Sequence, residues 1–374
     1  MNIGFLSNWS RRCGIAVHQR YLADVLKKAG NEIRIYRQYS AVDDLLDTWG
    51  HKVFECYHRG QDPSDRQGIS VAGILEDVVE HKIDVFHIQG FDMRACDVNK
   101  KLIELLKELK RLHVKVFETF HASCPSHDFE DGILDGGIVH DERTLNFFKG
   151  YLPKVPIYWI RMGVPELVKL SKEEKEVGKK EILRTESKHV VGSFGMMRNE
   201  YGTTLPAIAE LRKTYPDILY VIHVSREEYL GGVVALIQKL GLEKNVRLTS
   251  KWMEPDELHV RFSCCDILLF HYSCPNMGAT SSAAHVGIGM HIPVITTNAT
   301  FFDSVRGYVF EIPCSSNPTN AVQATNTLFL EKNHPMQGDF YSRFSDKADE
   351  YAKENSWEKV AKRHIEIYEK GVEK

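Results

Sequence analysis

The 374-residue chain has no apolar run approaching the roughly 18–20 residues that a membrane span requires. Its start, Met1-Asn2-Ile3-Gly4-Phe5-Leu6, lacks the basic n-region and long apolar stretch of a signal peptide and reads as a first β-strand. A basic excess is missing too: 48 Lys and Arg stand against 51 Asp and Glu, mixed along the chain, for a net charge of −3. Binding to a nucleic-acid backbone usually needs basic charge gathered on one face, which argues against nucleic acid as the main partner. The eight cysteines are scattered, none in a Cys-x-x-Cys pair, and Cys264 and Cys265 are adjacent. That pattern predicts reduced thiols in a cytoplasmic protein and offers no zinc-ligand spacing. There is no Gly-x-Ser-x-Gly elbow, no P-loop, no His-Glu-x-x-His, and no Gly-x-Gly-x-x-Gly after the first strand. Asp-x-Asp, the motif that carries a metal–diphosphate, is absent as well. Neither a metal nor a bound cofactor is expected.

What is present is an alternation of short apolar runs with helical periodicity, the pattern of parallel sheets covered by helices. The first strand leads through a loop into a helix with Val17, Tyr21, Leu22, Val25 and Leu26 on one face, ending at Lys27-Lys28-Ala29-Gly30. Strands follow at 32–36, 84–89, 114–120 and 157–160. From about Pro165 to Ser187 the sequence is charged and reads as a linker helix. A second series then begins at His189 and continues through 218–222, 246–248, 266–270 and 293–296 to an amphipathic helix around Trp357, Val360, His364 and Ile367. Two α/β halves of similar size predict a ligand in the cleft between them, at the carboxyl ends of the strands.

Four places carry candidate chemistry. The first is the helix start Gly278-Ala279-Thr280-Ser281-Ser282-Ala283-Ala284, which follows a buried strand and leaves backbone N–H groups free for an anion. An ordinary capped helix whose small residues permit close packing explains the same stretch equally well. The second is Gly14, in the turn after the first strand, where backbone can approach a phosphate. The third is Arg198, after the strand ending at Gly195, where a guanidinium can neutralise a leaving diphosphate. The fourth is His121, directly after a strand. Taken singly, a turn glycine, a solvated arginine and a structural histidine are the commoner identities of these three.

The pieces nevertheless occur in a familiar order. Cys13-Gly14-Ile15-Ala16, Asp84-Val85-Phe86-His87-Ile88-Gln89, Thr119-Phe120-His121, Val139-His140-Asp141-Glu142-Arg143-Thr144 and Met162-Gly163-Val164 resemble the successive motifs of the first half of GT-B glycosyltransferases. In the second half, Gly195 to Gly202, Asn245-Val246-Arg247-Leu248 to Leu258, Ser263-Cys264-Cys265-Asp266-Ile267 and Ser356-Trp357-Glu358-Lys359-Val360-Ala361 do the same. The chain resembles the large retaining family 4, or group 1, of these enzymes over nearly its whole length. The resemblance implies a GT-B fold: a Rossmann-like acceptor-side domain (1–165), a linker (166–187), a Rossmann-like nucleotide-sugar domain (188–350) facing the first across a cleft, and a C-terminal helix (351–374) crossing back to the first domain.

It also implies a nucleotide-diphosphate sugar as co-substrate and a glycan, lipid or other cellular acceptor, with peripheral membrane contact for a glycolipid-type acceptor. By the same resemblance no strong protein base is expected, because in such enzymes the leaving phosphate helps to take the acceptor proton and stabilising the departing diphosphate is the main electrostatic task. By position, Gly14, Arg198, Ser281 and Ser282 fall to the diphosphate and His121 to the transferred sugar. Lys251, Trp252, Asn276, Met277 and Gly278 fall near the base or sugar. Two departures stand out. Tyr201 replaces the lysine of the family's R-x-x-K-G, and the paired glutamates are absent, as in a subset carrying S-S-G-A where this chain has Ser281-Ser282-Ala283-Ala284. A non-catalytic nucleotide- or partner-binding GT-B subunit therefore stays open beside the transferase, as does an epimerase. Oligomeric state leaves no mark on the sequence.

Overall fold

The computed structural model describes residues 1–7, 9, 13–39, 51–59, 66–89, 96–122, 132–165, 167–195, 201–225, 227, 230–272, 279–333 and 339–372. The chain forms two compact units: Met1–Gly163 with Gly278–Thr280 and Trp357–Lys374, and Val164–Met277 with Ser281–Ser356. Among the described residues no helix is long and apolar enough to cross a membrane.

Unit 1 is built on strands β1 (Asn2–Ser7), β2 (Glu32–Tyr39), β3 (Lys52–Arg59), β4 (Arg66–Ile69), β5 (Val85–Gln89), β6 (Lys115–Phe120), β7 (Gly136–Val139) and β8 (Ile157–Trp159). They lie in the order β4-β3-β2-β1-β5-β6-β7-β8. All neighbours are parallel except β3 and β4. Helices α1 (Gly14–Lys28), α2 (Val71–Glu80), α3 (Cys96–Arg111) and α4 (Glu142–Tyr151) connect the strands. The last helix of the chain, α12 (Trp357–Val372), packs on the same sheet through Trp357, Val360, Ala361, Ile367 and Tyr368. Every residue of β5 is buried, as expected of a central strand in a sheet covered on both faces.

Strands β3, β4 and β7 escaped the sequence reading. β7 is the instructive one, since Gly-Gly-Ile-Val reads as a turn. The glycines are there for space: a Cβ on Gly136 would come within 2.9 Å of Phe117, and one on Gly137 within 2.6 Å of Phe120. Large aromatic rings from neighbouring strands fill the room that β7 side chains would take.

Unit 2 contains β9 (Val190–Gly195), β10 (Leu219–Val224), β11 (Val246–Thr249), β12 (Ile267–Phe270), β13 (Val294–Thr297) and β14 (Phe310–Ile312). Their order is β11-β10-β9-β12-β13-β14, all parallel. Around them are α5 (Lys172–Glu181), α6 (Tyr201–Thr214), α7 (Leu230–Lys239), α8 (Pro255–Ser263), α9 (Ser282–Ile288), α10 (Thr319–Asn333) and α11 (Asp339–Glu354). The charged stretch read as a linker helix is α5, which starts in a capping box between Ser171 and Glu174. In both units the connections leave the first strand in opposite directions, at β1/β5 and at β9/β12. Each sheet therefore has a switch point, with a crevice outside its strands' carboxyl ends.

One expectation fails. Cys13, Cys264 and Cys265 are free, but Cys314 is disulfide-bonded. Sequence spacing reveals pairs only when they are close in the chain, and nothing near Cys314 in sequence announces one.

The seat of α12 depends on one glycine. A Cβ on Gly163 would lie 2.4–2.7 Å from the Trp357 ring, so alanine there must displace a buried indole. Overpacking of this kind costs about 1–3 kcal/mol. We expect Gly163→Ala to lower thermal stability and to speed amide exchange throughout α12. Unchanged exchange in that helix would show that the tryptophan is accommodated elsewhere.

Candidate functional site

The carboxyl end of the unit 1 sheet gathers a polar cluster under an apolar body. His121 follows β6, and His140 and Asp141 follow β7. Gln89 ends β5, and His18 and Gln19 project from α1. The rings of His18, His121 and His140 form a near-equilateral triangle, with centroids 5.3, 5.1 and 5.1 Å apart, and Trp357 stands edge-on to His18 at 4.9 Å. Among the described residues no partner meets either ring nitrogen of His18, Nδ1 of His121, Nε2 of His140 or the side-chain amide of Gln19. Among the described residues no group of three or more His, Cys, Asp or Glu is placed to hold a metal ion.

Burial sets the protonation of this cluster. It pushes the pKa of His18, His87, His121 and His140 down, and the neighbouring imidazoles add to the effect at His18, His87 and His121. At His140 the hydrogen bond to the Ile160 carbonyl and the charge of Asp141 work against burial without overcoming it. His140 donates from Nδ1 to Ile160 O at 2.9 Å, which leaves Nε2 as a bare acceptor.

Asp141 is buried and caps α4, accepting from Thr144 N at 2.7 Å and Thr144 Oγ1 at 2.9 Å. It also accepts from Thr280 Oγ1 at 3.1 Å. Thr280 N donates to His121 O at 3.4 Å, and Ala279 bridges Ala122. The segment leading to the Ser281-Ser282 helix start is thus part of unit 1 up to Thr280, and unit 2 resumes at Ser281.

In unit 2 the helix start is more specific than the sequence suggested. Ser281 is the N-cap of α9, its Oγ accepting from Ala284 N at 3.3 Å. Its own amide donates to Phe301 O at 2.9 Å and is not available to a ligand. The donors left without a partner, among the described residues, are the amides of Ser282 and Ala283, the first two residues of the helix. Gly195, which ends β9, lies beside them with φ +122, and a Cβ there would sit 3.5 Å from the Ala283 Cβ. Only glycine holds that φ without strain. The close-packing account of the small residues is also correct further along α9, since a Cβ on Gly287 would come 2.9 Å from Leu268. His285 is structural: from a buried position it donates from Nδ1 to Ser281 O at 2.7 Å, and its Nε2 lies 3.1 Å from Ser304 Oγ.

The remaining candidates divide. Gly14 is the first residue of α1, behind the N-cap Cys13. Lys251 follows β11 and is exposed, and Trp252 donates from Nε1 to Glu254 Oε1 at 2.9 Å. Arg198, Asn276, Met277 and Gly278 lie outside the described residues. Tyr201 packs as an apolar residue of the unit 2 core with its hydroxyl against Gly232. Gln89, Thr119, His18 and Tyr368 were not foreseen as site residues, and neither was His271, buried after β12 with both ring nitrogens unpartnered among the described residues. Gln89 and Thr119 are polar residues buried among mostly apolar ones in β5 and β6, and only the pairing of those strands shows that they meet.

No family model matches the chain. Solved structures do. A glycosyltransferase from Rickettsia africae is 15% identical, with 99% of this chain and 98% of the other covered at a TM-score of 0.73. HepE from Anabaena, solved with UDP, is 14% identical over 99% and 100% of the two chains, with a TM-score of 0.75. A UDP-GlcNAc 2-epimerase from Neisseria meningitidis, solved with UDP-GlcNAc, is 13% identical over 99% and 100%, with a TM-score of 0.62. At such identities the likeness establishes the fold, which is GT-B.

Proposed function

We propose that this protein is a glycosyltransferase that takes a hexose-type sugar from a nucleotide diphosphate and transfers it, with retention and without metal, to a glycan or glycolipid-type acceptor in the cytoplasm. The observation that carries the reading is the pair of free amides at Ser282 and Ala283 beside Gly195, at the switch point of a GT-B nucleotide-side unit. That fold is shared over full length with HepE, a protein solved with UDP and with UDP-glucose.

In this reading the Ser282 and Ala283 amides, with Arg198 and Gly14, hold the diphosphate and stabilise the charge that develops on it. His121 stands beside the sugar as a neutral hydrogen-bonding group, and Lys251 and Trp252 lie towards the base. A glycolipid-type acceptor would add peripheral contact with a membrane.

Purified protein is expected to be thermally stabilised by one nucleoside diphosphate and to hydrolyse the matching nucleotide sugar slowly. His121→Ala should lower turnover about 10- to 100-fold, the worth of one or two lost hydrogen bonds in the transition state. Absence of both stabilisation and hydrolysis across the common nucleotide sugars would sink the proposal. The packed, uncharged Tyr201, in place of a diphosphate-binding lysine, favours one alternative, a subunit that binds nucleotide without turnover. Stabilisation by nucleotide with no hydrolysis, and no response to His121→Ala, would select it. Interconversion of free nucleotide sugars would select an epimerase instead.

A further inference from the structure

We infer that His121 is held in one tautomer, protonated on Nε2 and bare on Nδ1, by a one-way chain of hydrogen bonds that runs through Gln89, Thr119 and His87 to Tyr368 on α12. The chain is made of contacts within unit 1. His121 Nε2 lies 3.2 Å from Gln89 Oε1. Gln89 Nε2 donates to Thr119 Oγ1 at 3.1 Å. Thr119 Oγ1 is 2.9 Å from His87 Nε2, and His87 Nδ1 is hydrogen-bonded to the Tyr368 hydroxyl.

The direction follows from the donor inventory. An amide oxygen only accepts, so the His121 nitrogen facing Gln89 Oε1 must carry hydrogen. Gln89 Nε2 also lies 3.4 Å from His87 Nε2, which puts an N–H beside that nitrogen and requires it to be a lone pair. Thr119 therefore donates to His87 Nε2, and His87, neutral because it is buried, donates from Nδ1 to Tyr368. Every member donates to the next, so no single member can turn round alone. Reversal requires the Gln89 amide to flip and both histidines to exchange tautomers together.

The consequence falls on His121 Nδ1. That nitrogen is buried and has no partner among the described residues, and the chain leaves it as an acceptor. In the glycosyltransferase reading, on which this role rests, it accepts from a sugar hydroxyl and does not act as an acid. Gln89, Thr119, His87 and Tyr368 are then positioning residues. Tyr368 is four links away from the ring whose proton it fixes.

The test is long-range proton–nitrogen NMR of protein labelled with 15N-histidine, at pH 7.5 without nucleotide. Wild-type His121 should show a protonated Nε2 and an unprotonated Nδ1. In Tyr368→Phe, His87 loses the acceptor for its Nδ1 hydrogen. The chain should reverse and move the His121 hydrogen to Nδ1. Thr119→Val should leave a mixture of tautomers, and Thr119→Ser, which keeps the hydroxyl, should restore the wild-type pattern. A His121 protonated on Nδ1 in the wild type overturns the inference, as does a tautomer that ignores both Tyr368→Phe and Thr119→Val. Where donor turnover is measurable, Tyr368→Phe should lower kcat about tenfold with KM unchanged. An NMR result as expected in a protein that turns over no donor leaves the chain intact and removes the glycosyltransferase reading.

Discussion

Between pH 7 and pH 5 unit 1 is expected to lose several kcal/mol of stability, because it folds around imidazoles that must stay neutral. His18, His87, His140 and His364 are at most 4% exposed. Burial first, and then mutual repulsion among the rings, puts the pKa values of His18, His87 and His121 well below the ordinary value, and His364 is brought down to about 4. An unfolded histidine titrates near about 6.5. Between the two values the unfolded chain binds protons that the folded chain refuses, so the free energy of unfolding rises with pH. The contribution is complete above about pH 6.5 and is lost as the pH falls towards the folded value.

Each such histidine removes up to about 1.4 kcal/mol per pH unit in that window. His364 alone accounts for about 3 kcal/mol between 6.5 and its folded pKa of about 4. Urea unfolding at pH 7 and pH 5, with hydrogen exchange to locate the loss, measures the effect. His18→Leu, which removes two ring nitrogens that have no partner among the described residues, at similar volume, should reduce the pH dependence by roughly one proton. Stability that does not change over this range would mean that water reaches these rings.

A second large effect is expected from Asp266, at the amino end of β12. The side chain is 1% exposed and accepts from Val190 N at 2.8 Å through Oδ2. Its Oδ1 is 3.0 Å from Nζ of Lys179, itself 1% exposed, and is also bonded to Lys332. Tyr341 Oη donates to the Asp266 carbonyl at 3.1 Å. The one carboxylate thus ties α5 and α10 to β9 at the start of β12, while the main-chain carbonyl of the same residue holds α11.

Asp266→Asn keeps the shape but leaves the Lys179 ammonium buried beside a neutral amide, with only the half-exposed Glu176 for company at 3.0 Å. Removing one partner of a buried ion pair typically costs about 3–5 kcal/mol. The unfolding midpoint should fall accordingly, and Asp266→Asn combined with Lys179→Met should recover a large part of the loss. If the double variant is no more stable than Asp266→Asn, the cost does not lie in the Lys179 ammonium, and the remaining charge released by the substitution is that of Lys332. Near this cluster burial also brings Lys175 down to about 8.

How much of this was legible beforehand varies by element. The strands that became β1, β5, β6 and β9 are short, largely apolar runs and were visible, as was the alternation that makes each unit a parallel sheet. β7 was not, because its function in the sheet is to leave room for Phe117 and Phe120. The helix start at Ser282 was visible as a site for free amides, but not that Ser281's amide is taken by Phe301, some twenty residues further along. His121 was singled out from its place after a strand. The chain of bonds behind it was not, since Gln89, Thr119, His87 and Tyr368 come from three separate elements.

The order of family-like motifs implied the GT-B architecture; by itself, the sequence determined most of the strands and helices and the alternation that makes each half a parallel sheet. These depend on local pattern: apolar periodicity, turn residues and caps act over a few positions and are written in consecutive residues. Tertiary structure alone decided which polar groups are satisfied and which are left over. The amides of Ser282 and Ala283 and the His121 nitrogen left without partners among the described residues, and the buried ion pair of Asp266 and Lys179, are properties of burial and partner distance. Contacts between residues as far apart as His87 and Tyr368 exist only once the sheet has formed and the last helix has packed on it.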